Sequence, residues 1–298
     1  MEKSKICIDL NENCAVLWLK SAVKNALIRG TFLPSHSILP RQLFTFHSSF
    51  FTCSTVGYIT DNLTKGNFNA VAINFTSVDG KGFQLNDIKG EGIFGSTDPY
   101  AADLIQIWNP LTSGYEKWFY WYDESDHSWD GWWDFPNTQV EFKDVHPEGL
   151  PNGSAVWYSS YKDSTGGAVN LSGAVDTAKS VTLSITRGNF NQVANPFPVG
   201  LQPNNAEQAT WEGAIGSTDP YAADLIQIWN PATSGYEKWF YWFDESDHSW
   251  DGWWDFPNAQ IEFQDTHPNG LDAGTPVWYN AKGTFGQTFD VTFKTPLK

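Results

Sequence analysis

Cysteine and methionine are missing from almost the whole chain. Of 298 residues, the three cysteines (Cys7, Cys14 and Cys53) and the single methionine, Met1, all fall within the first 54. Residues 55–298 therefore hold no disulfide, no cysteine-based zinc site and no thiol nucleophile. Their stability must come from packing, hydrogen bonds or a bound metal. Positive charge is scarce as well. Residues 55–298 carry twelve Lys/Arg against thirty-one Asp/Glu, a net of −19, whereas residues 1–54 carry a net of +3. A body this acidic repels phosphate backbones and anionic bilayers, which excludes nucleic acid as an expected partner. No run approaches the roughly 18–20 apolar residues of a transmembrane helix, so no membrane span is expected. Phosphate-binding loops, dinucleotide fingerprints, nucleophile elbows and His-Glu-x-x-His motifs are absent too.

What is present is a duplication. Gly95 to Tyr158 aligns without a gap to Gly216 to Tyr279 at an offset of 121 residues, with 11 differences in 64 positions. Upstream the match continues more weakly, Thr64-Lys65-Gly66-Asn67-Phe68 answering Thr186-Arg187-Gly188-Asn189-Phe190. Solenoid and propeller repeats run at periods of roughly 20–50 residues, so a unit this long is a domain. The expected division is an N-terminal extension over 1–54, module one over 55–177 and module two over 178–298. Residues 13–60 contain no acidic residue. The extension reads as a targeting remnant or a misplaced start, with a helix around residues 15–29 as the alternative. The linker is expected at Asp176-Thr177-Ala178-Lys179.

Short β-prone runs dominate each module. In the first they are 56–60, 70–75, 104–108, 117–122, 138–142, 155–158 and 168–175, separated by turn formers such as Asn109-Pro110 and Asp130-Gly131. This punctuation predicts an all-β fold: two tandem β-sandwich-like or barrel-like modules related by internal duplication. Asp98 followed by Pro99 predicts a brief helical turn, with Asp98 as its cap.

The sharpest local feature is the ladder Trp118-Phe119-Tyr120-Trp121-Tyr122, repeated at 239–243 with Phe243 in the last place. Alternation puts Trp118, Tyr120 and Tyr122 on one face of a strand and Phe119 and Trp121 on the other. A sandwich strand normally has one polar face; this one is aromatic on both. Each buried ring removes ~150–250 Å² from water, so a Trp-rich core or an intermodule contact is one explanation. The other is an exposed platform for the flat faces of sugars. Trp118, Tyr120, Trp121, Trp132 and Trp133 would stack there while Asp123, Glu124 and Asp126 accept hydroxyl protons. The second copy would use Trp239, Tyr241, Trp242, Trp253 and Trp254.

The loop that follows contains a partial calcium pattern. Asp126, Ser128, Asp130 and Asp134, with Gly131 at the sharp turn, have the alternating oxygens that calcium requires. Asp247, Ser249, Asp251 and Asp255 repeat it. Asn137 stands where the bidentate Glu of an EF-hand would be, and the alternative is a type I′ hairpin turn at Asp130-Gly131 among solvated acids. Zinc through His127 and His146 lacks recognisable ligand spacing.

Asn191-Gln192-Val193-Ala194-Asn195-Pro196-Phe197-Pro198, followed by Leu225-Ile226-Gln227-Ile228-Trp229-Asn230, resembles the N-x-x-x-N-P-[FY]-P … I-x-[IV]-W pattern of secreted bacterial β-modules, which are mostly uncharacterised. The resemblance covers both modules loosely and none of residues 1–54. The first copy departs from it, with Asn74-Phe75 and no proline. It implies export and a β fold, and supplies no ligand. The expected function is that of an exported, non-catalytic protein binding an extracellular glycan or surface polymer, with calcium as its candidate cofactor. The alternatives are a surface or fibre component self-associating through aromatic faces, and a carboxylate-based glycoside hydrolase.

Overall fold

A computed structural model of the chain describes residues 7–8, 56–88, 92–162, 167–175, 180–230, 233 and 235–296. The expected linker at 176–179 and, apart from Cys7 and Ile8, the N-terminal extension lie outside the described residues.

Sixteen strands are described: β1 (Cys7–Ile8), β2 (Val56–Leu63), β3 (Phe68–Ile73), β4 (Leu104–Asn109), β5 (Gly114–Trp121), β6 (Gly131–Asp134), β7 (Ser154–Ser159), β8 (Gly167–Ala174), β9 (Ser180–Thr186), β10 (Asn189–Ala194), β11 (Ala209–Thr210), β12 (Leu225–Asn230), β13 (Gly235–Trp242), β14 (Gly252–Asp255), β15 (Pro276–Ala281) and β16 (Thr288–Lys294). The described helices are single turns, α1 (Phe142–Val145) and α2 (Phe263–Thr266), with a few 3₁₀ turns. No described helix is long and apolar enough to cross a membrane. The fold is all-β, and every described strand pair is antiparallel.

Each copy is a sandwich of unequal layers. In the first, a five-stranded sheet in the order β3-β7-β4-β5-β6 packs on the β2–β8 pair, which β1 extends. In the second, β10-β15-β12-β13-β14 packs on β9–β16, which β11 extends. Two hydrophobic cores result. One draws only on residues between Ile59 and Val175, the other only on residues between Val181 and Phe293. The register is duplicated too: Ile105 lies opposite Trp118, and Ile226 opposite Trp239.

The large sheets join where Val193 of β10, the edge strand of the second, bridges Ser154 of β7 beyond the end of β4. Ala72, Ala155 and Ala194 are small enough to pack together at this seam. Polar contacts close it: the Asn189 side-chain amide donates to the Pro110 carbonyl (2.7 Å) and to Ser113 Oγ (2.6 Å).

Two local expectations are corrected. Residues 138–142, expected as a strand, form a turn and the start of α1, because Asp134 Oδ1 accepts the amides of Gln139 (2.6 Å) and Val140 (2.7 Å) and bends the chain. Phe142 then enters the core from a helical turn, where it is 1 % exposed. Asp130-Gly131 is no hairpin turn either. It ends a 3₁₀ turn over His127–Trp129 and opens β6, so β5 and β6 are joined by a longer loop. The cap at Asp98 is as expected, its Oδ1 accepting the Tyr100 amide at 3.0 Å.

Candidate functional site

Alternation along the large sheets decides which rings meet the core. Ile105, Trp118, Val156 and Tyr158 point inward, so Gln106, Trp108, Tyr115 and Trp157 point to the opposite face. On β3 the outward ring is Phe68. The second copy repeats the set as Gln227, Trp229, Tyr236, Trp278 and Phe190. The seam brings the two outward faces together. They line one groove of ≈ 370 Å³, with Phe68, Tyr115, Trp157, Trp229, Tyr236 and Trp278 as its aromatic walls and Asn67 and Gln106 as polar groups. It runs on into a second space of ≈ 300 Å³ that shares Tyr115, Tyr236 and Trp278 and adds Trp108, Phe190 and Gln227.

The ring geometry is repeated but not identical. Edge contacts join Trp108 to Tyr115 (4.9 Å) and Trp229 to Tyr236 (5.1 Å), and Phe68 to Trp157 (6.3 Å) and Phe190 to Trp278 (5.9 Å). Trp108 is drawn into the seam, donating from Nε1 to the Phe190 carbonyl (2.7 Å) and packing on Trp278 (5.7 Å). Trp229 makes no equivalent ring or hydrogen-bond contact across the seam among the described residues and is 36 % exposed. Partial burial raises the Tyr115 hydroxyl above its ordinary pKa, opposed by a hydrogen bond from Trp157 and reinforced by the neighbouring Tyr236. Tyr115 thus stays a neutral donor in the groove. None of the outward positions on these strands is Asp or Glu.

The rings singled out from the ladder lie elsewhere. Trp118, Trp132, Trp239 and Trp253 are core residues, 4 % exposed or less, and have no face to offer a ligand. Tyr120 and Tyr241 point inward and tilt against Trp132 and Trp253. Trp121, Trp133, Trp242 and Trp254 do face outward, at the end of the sheet remote from Tyr115 and Tyr236. There Phe256 folds back over Phe240 and Trp254, leaving Trp254 8 % exposed. A strand aromatic on both faces is explained by this second, smaller cluster.

The acidic loop spends its carboxylates on its own backbone. Asp123 Oδ1 accepts from the Ser125 amide and hydroxyl, and Asp126 Oδ1 from the Ser128 amide, which holds both carboxyls below their ordinary pKa. Asp130 binds the Asp123 amide and His127 Nδ1, and Asp134 the amides already named. Asp244, Asp247, Asp251 and Asp255 repeat each contact, Ser246, His248 and Ser249 being their partners. Among the described residues, no three His, Cys, Asp or Glu side chains converge on one point. Glu124 is exposed beside a cleft of ≈ 540 Å³ lined also by Asn86, Tyr120, Tyr122 and Asp130.

The buried carboxylates are structural. Asp103 accepts from Tyr158 Oη (2.6 Å) and from the amides of Phe94 (2.8 Å) and Tyr161 (2.6 Å). Asp224 does the same with Tyr279, Ile215 and Lys282. Burial raises both carboxyls, and these hydrogen bonds oppose it.

Sequence reasoning passed over the groove residues. The available signal was Gln106 and Gln227, each an amide at the centre of an otherwise apolar strand. Compared with protein-family models, curated proteins and solved structures, the chain matches none.

Proposed function

We propose that this is an exported, non-catalytic carbohydrate-binding protein of the extracellular space or cell surface, and that its ligand lies in the groove between the modules. One observation carries this: both copies turn the same five side chains, two Trp, a Tyr, a Phe and a Gln, onto one shared cleft. Core packing does not require half-exposed rings there, yet Phe68, Tyr115, Phe190, Trp229 and Tyr236 are each 36–54 % exposed. Aromatic faces suit the C–H faces of sugars, and the amides and tyrosine hydroxyls suit their hydroxyl groups. A cleft without carboxylates on its strands offers no acid–base pair for glycoside cleavage, which supports binding over hydrolysis. Export rests on the resemblance of the Asn195-Pro196-Phe197-Pro198 segment to secreted modules.

Intrinsic tryptophan fluorescence titrated with a panel of soluble polysaccharides, in calcium and in EDTA, tests this. A saturable change with one polymer, lost in a Trp157→Ala, Trp278→Ala variant whose melting is unchanged, is the expected result. Loss of the signal in EDTA would bring the acidic loop and calcium into the site. A flat response to every polymer contradicts the proposal.

A structural role, with assembly through aromatic faces, is favoured by a separate observation. Tyr100, Tyr221, Trp129 and Trp250 stand 51–70 % exposed outside the groove, in matching positions on the two copies. Sedimentation that grows with concentration, and falls back in a Trp129→Ser, Trp250→Ser variant, is its signature.

A further inference from the structure

The groove faces carry charge of only one sign, and it is the sign this chain has least of. Lys117 and Lys238 lie directly across the strand pair from Gln106 and Gln227. They are two residues from Tyr115 and Tyr236, and so on the same outward face. Cross-strand neighbours hold their Cβ atoms roughly 4.5–5.5 Å apart, so each lysine side chain starts beside a glutamine of the groove and is long enough to reach over it. Both lysines are exposed, and neither makes an ion pair or a side-chain hydrogen bond among the described residues. In a protein of formal net charge −16, carboxylates are plentiful, yet none stands at an outward position of the described strands that carry the lysines and the groove rings. Glu116 and Glu237, their chain neighbours, point the other way and hold His146 (2.8 Å) and His267 (3.0 Å).

From this juxtaposition we infer that the ligand is an anionic glycan, a polymer of sugar rings bearing carboxylates, and that Lys117 and Lys238 read its acid groups while the aromatic walls take its rings. The inference rests on the carbohydrate proposal above and narrows it. A free lysine beside a stacking ring forms a charge-assisted hydrogen bond to a carboxylate, stronger than a neutral one and weakened by salt. The duplicated lysines present two such contacts to a chain that repeats its charge. The acidity of the rest of the protein repels the polymer elsewhere, so it is held at this face alone.

The experiment compares three probes on the full chain by tryptophan fluorescence: polygalacturonate, the same polymer with its carboxyls reduced to neutral alcohols, and a sulfated galactan. The expected result is saturable binding of polygalacturonate that weakens about tenfold or more between low and high salt. The reduced polymer is expected to bind at least tenfold more weakly. A Lys117→Gln, Lys238→Gln variant should lose about tenfold for the acid polymer and stay within twofold for the neutral one. Stronger binding of the sulfated polymer, lost in the same variant, would keep the anionic site and move its acid group to a sulfate ester. Equal, salt-insensitive binding of the acid and neutral polymers overturns the inference and leaves the carbohydrate proposal standing. No response to any polymer overturns both.

Discussion

The two modules share a fold and a register, and the contrast between them shows where each is weak. On the strand that opens each module, Asp61 of module one occupies the place of Leu183 in module two, as their partners Val169 and Val291 show. Leu183 is buried in its core; Asp61 faces the core with a carboxyl that burial pushes from 3.8 up to about 6. Trp211 packs against Trp253 (4.8 Å), Tyr279 (5.9 Å) and Phe293 (5.6 Å). Between Asn86 and Phe94, the counterparts of Asn204 and Ile215, module one has no Trp and three fewer residues, and it fills its core with Ile88 and Ile93 instead. Finally, Asn195 stands where the strand register of module one has Ile73, and its amide donates to the carbonyls of Val199 (2.7 Å) and Leu271 (2.9 Å); the nearest amide of module one, Asn74 one position further along, is equally buried with no side-chain hydrogen-bond partner among the described residues. All three differences favour module two. Duplication kept the groove residues alike while the cores drifted apart.

That comparison can be broken in order of size. Replacing Trp211 with Ala removes three ring contacts and leaves a cavity, and should destabilise module two by about 2–4 kcal/mol. Amide hydrogen exchange separates the modules: protection should fall in β9 and β16 and stay unchanged in β2 and β8. Asn195→Ala takes the acceptor from the buried Phe197 amide and the side-chain donor from the Val199 carbonyl, and a loss of about 1–3 kcal/mol in the same amides is expected.

Asp61→Leu gives module one the solution module two already uses. Its effect depends on pH with a definite sign. The folded carboxyl binds its proton more tightly than an unfolded one, so ionisation opposes folding. Wild-type stability attributable to Asp61 is intact below about pH 4, declines as pH rises through about 6, and is constant above. The substitution should therefore stabilise module one by about 1–2 kcal/mol at pH 7 and add less at pH 4. A larger gain at pH 4 than at pH 7 would remove Asp61 as the cause. The smallest effect is expected at Asn74→Ala, within about 1 kcal/mol, since no hydrogen bond is lost. If it costs as much as Asn195→Ala, the Asn74 amide is hydrogen-bonded in the fold and the contrast fails.

Much of the fold was legible. Leu104-Ile105-Gln106-Ile107-Trp108 and Ala155-Val156-Trp157-Tyr158 alternate clearly enough to fix both strand and facing, and Asp98-Pro99 marks its turn. Thr138 to Phe142 failed because Val140 and Phe142 alternate like a strand, while the bend comes from a carboxylate four residues upstream of Thr138. The loop acids are ambiguous for a related reason: an Asp that accepts a neighbouring amide has the same spacing as one that holds an ion. Period two tells which face a ring is on, and says nothing of what lies against that face. Trp118 meets the second sheet, Trp254 meets a returning loop, and Trp157 meets Phe68 and lines the groove shared with the other module. The groove is set by how two copies join at Ser154 and Val193, which no local pattern encodes.

The most direct test is the number of sites on one chain, measured by calorimetry with a soluble oligosaccharide of the polymer that binds. A groove built jointly predicts one site per chain, and Trp157→Ala alone should weaken all of the binding. Two sites per chain, with Trp157→Ala and Trp278→Ala each removing one and sparing the other, would contradict a shared groove and return the binding surface to the individual modules.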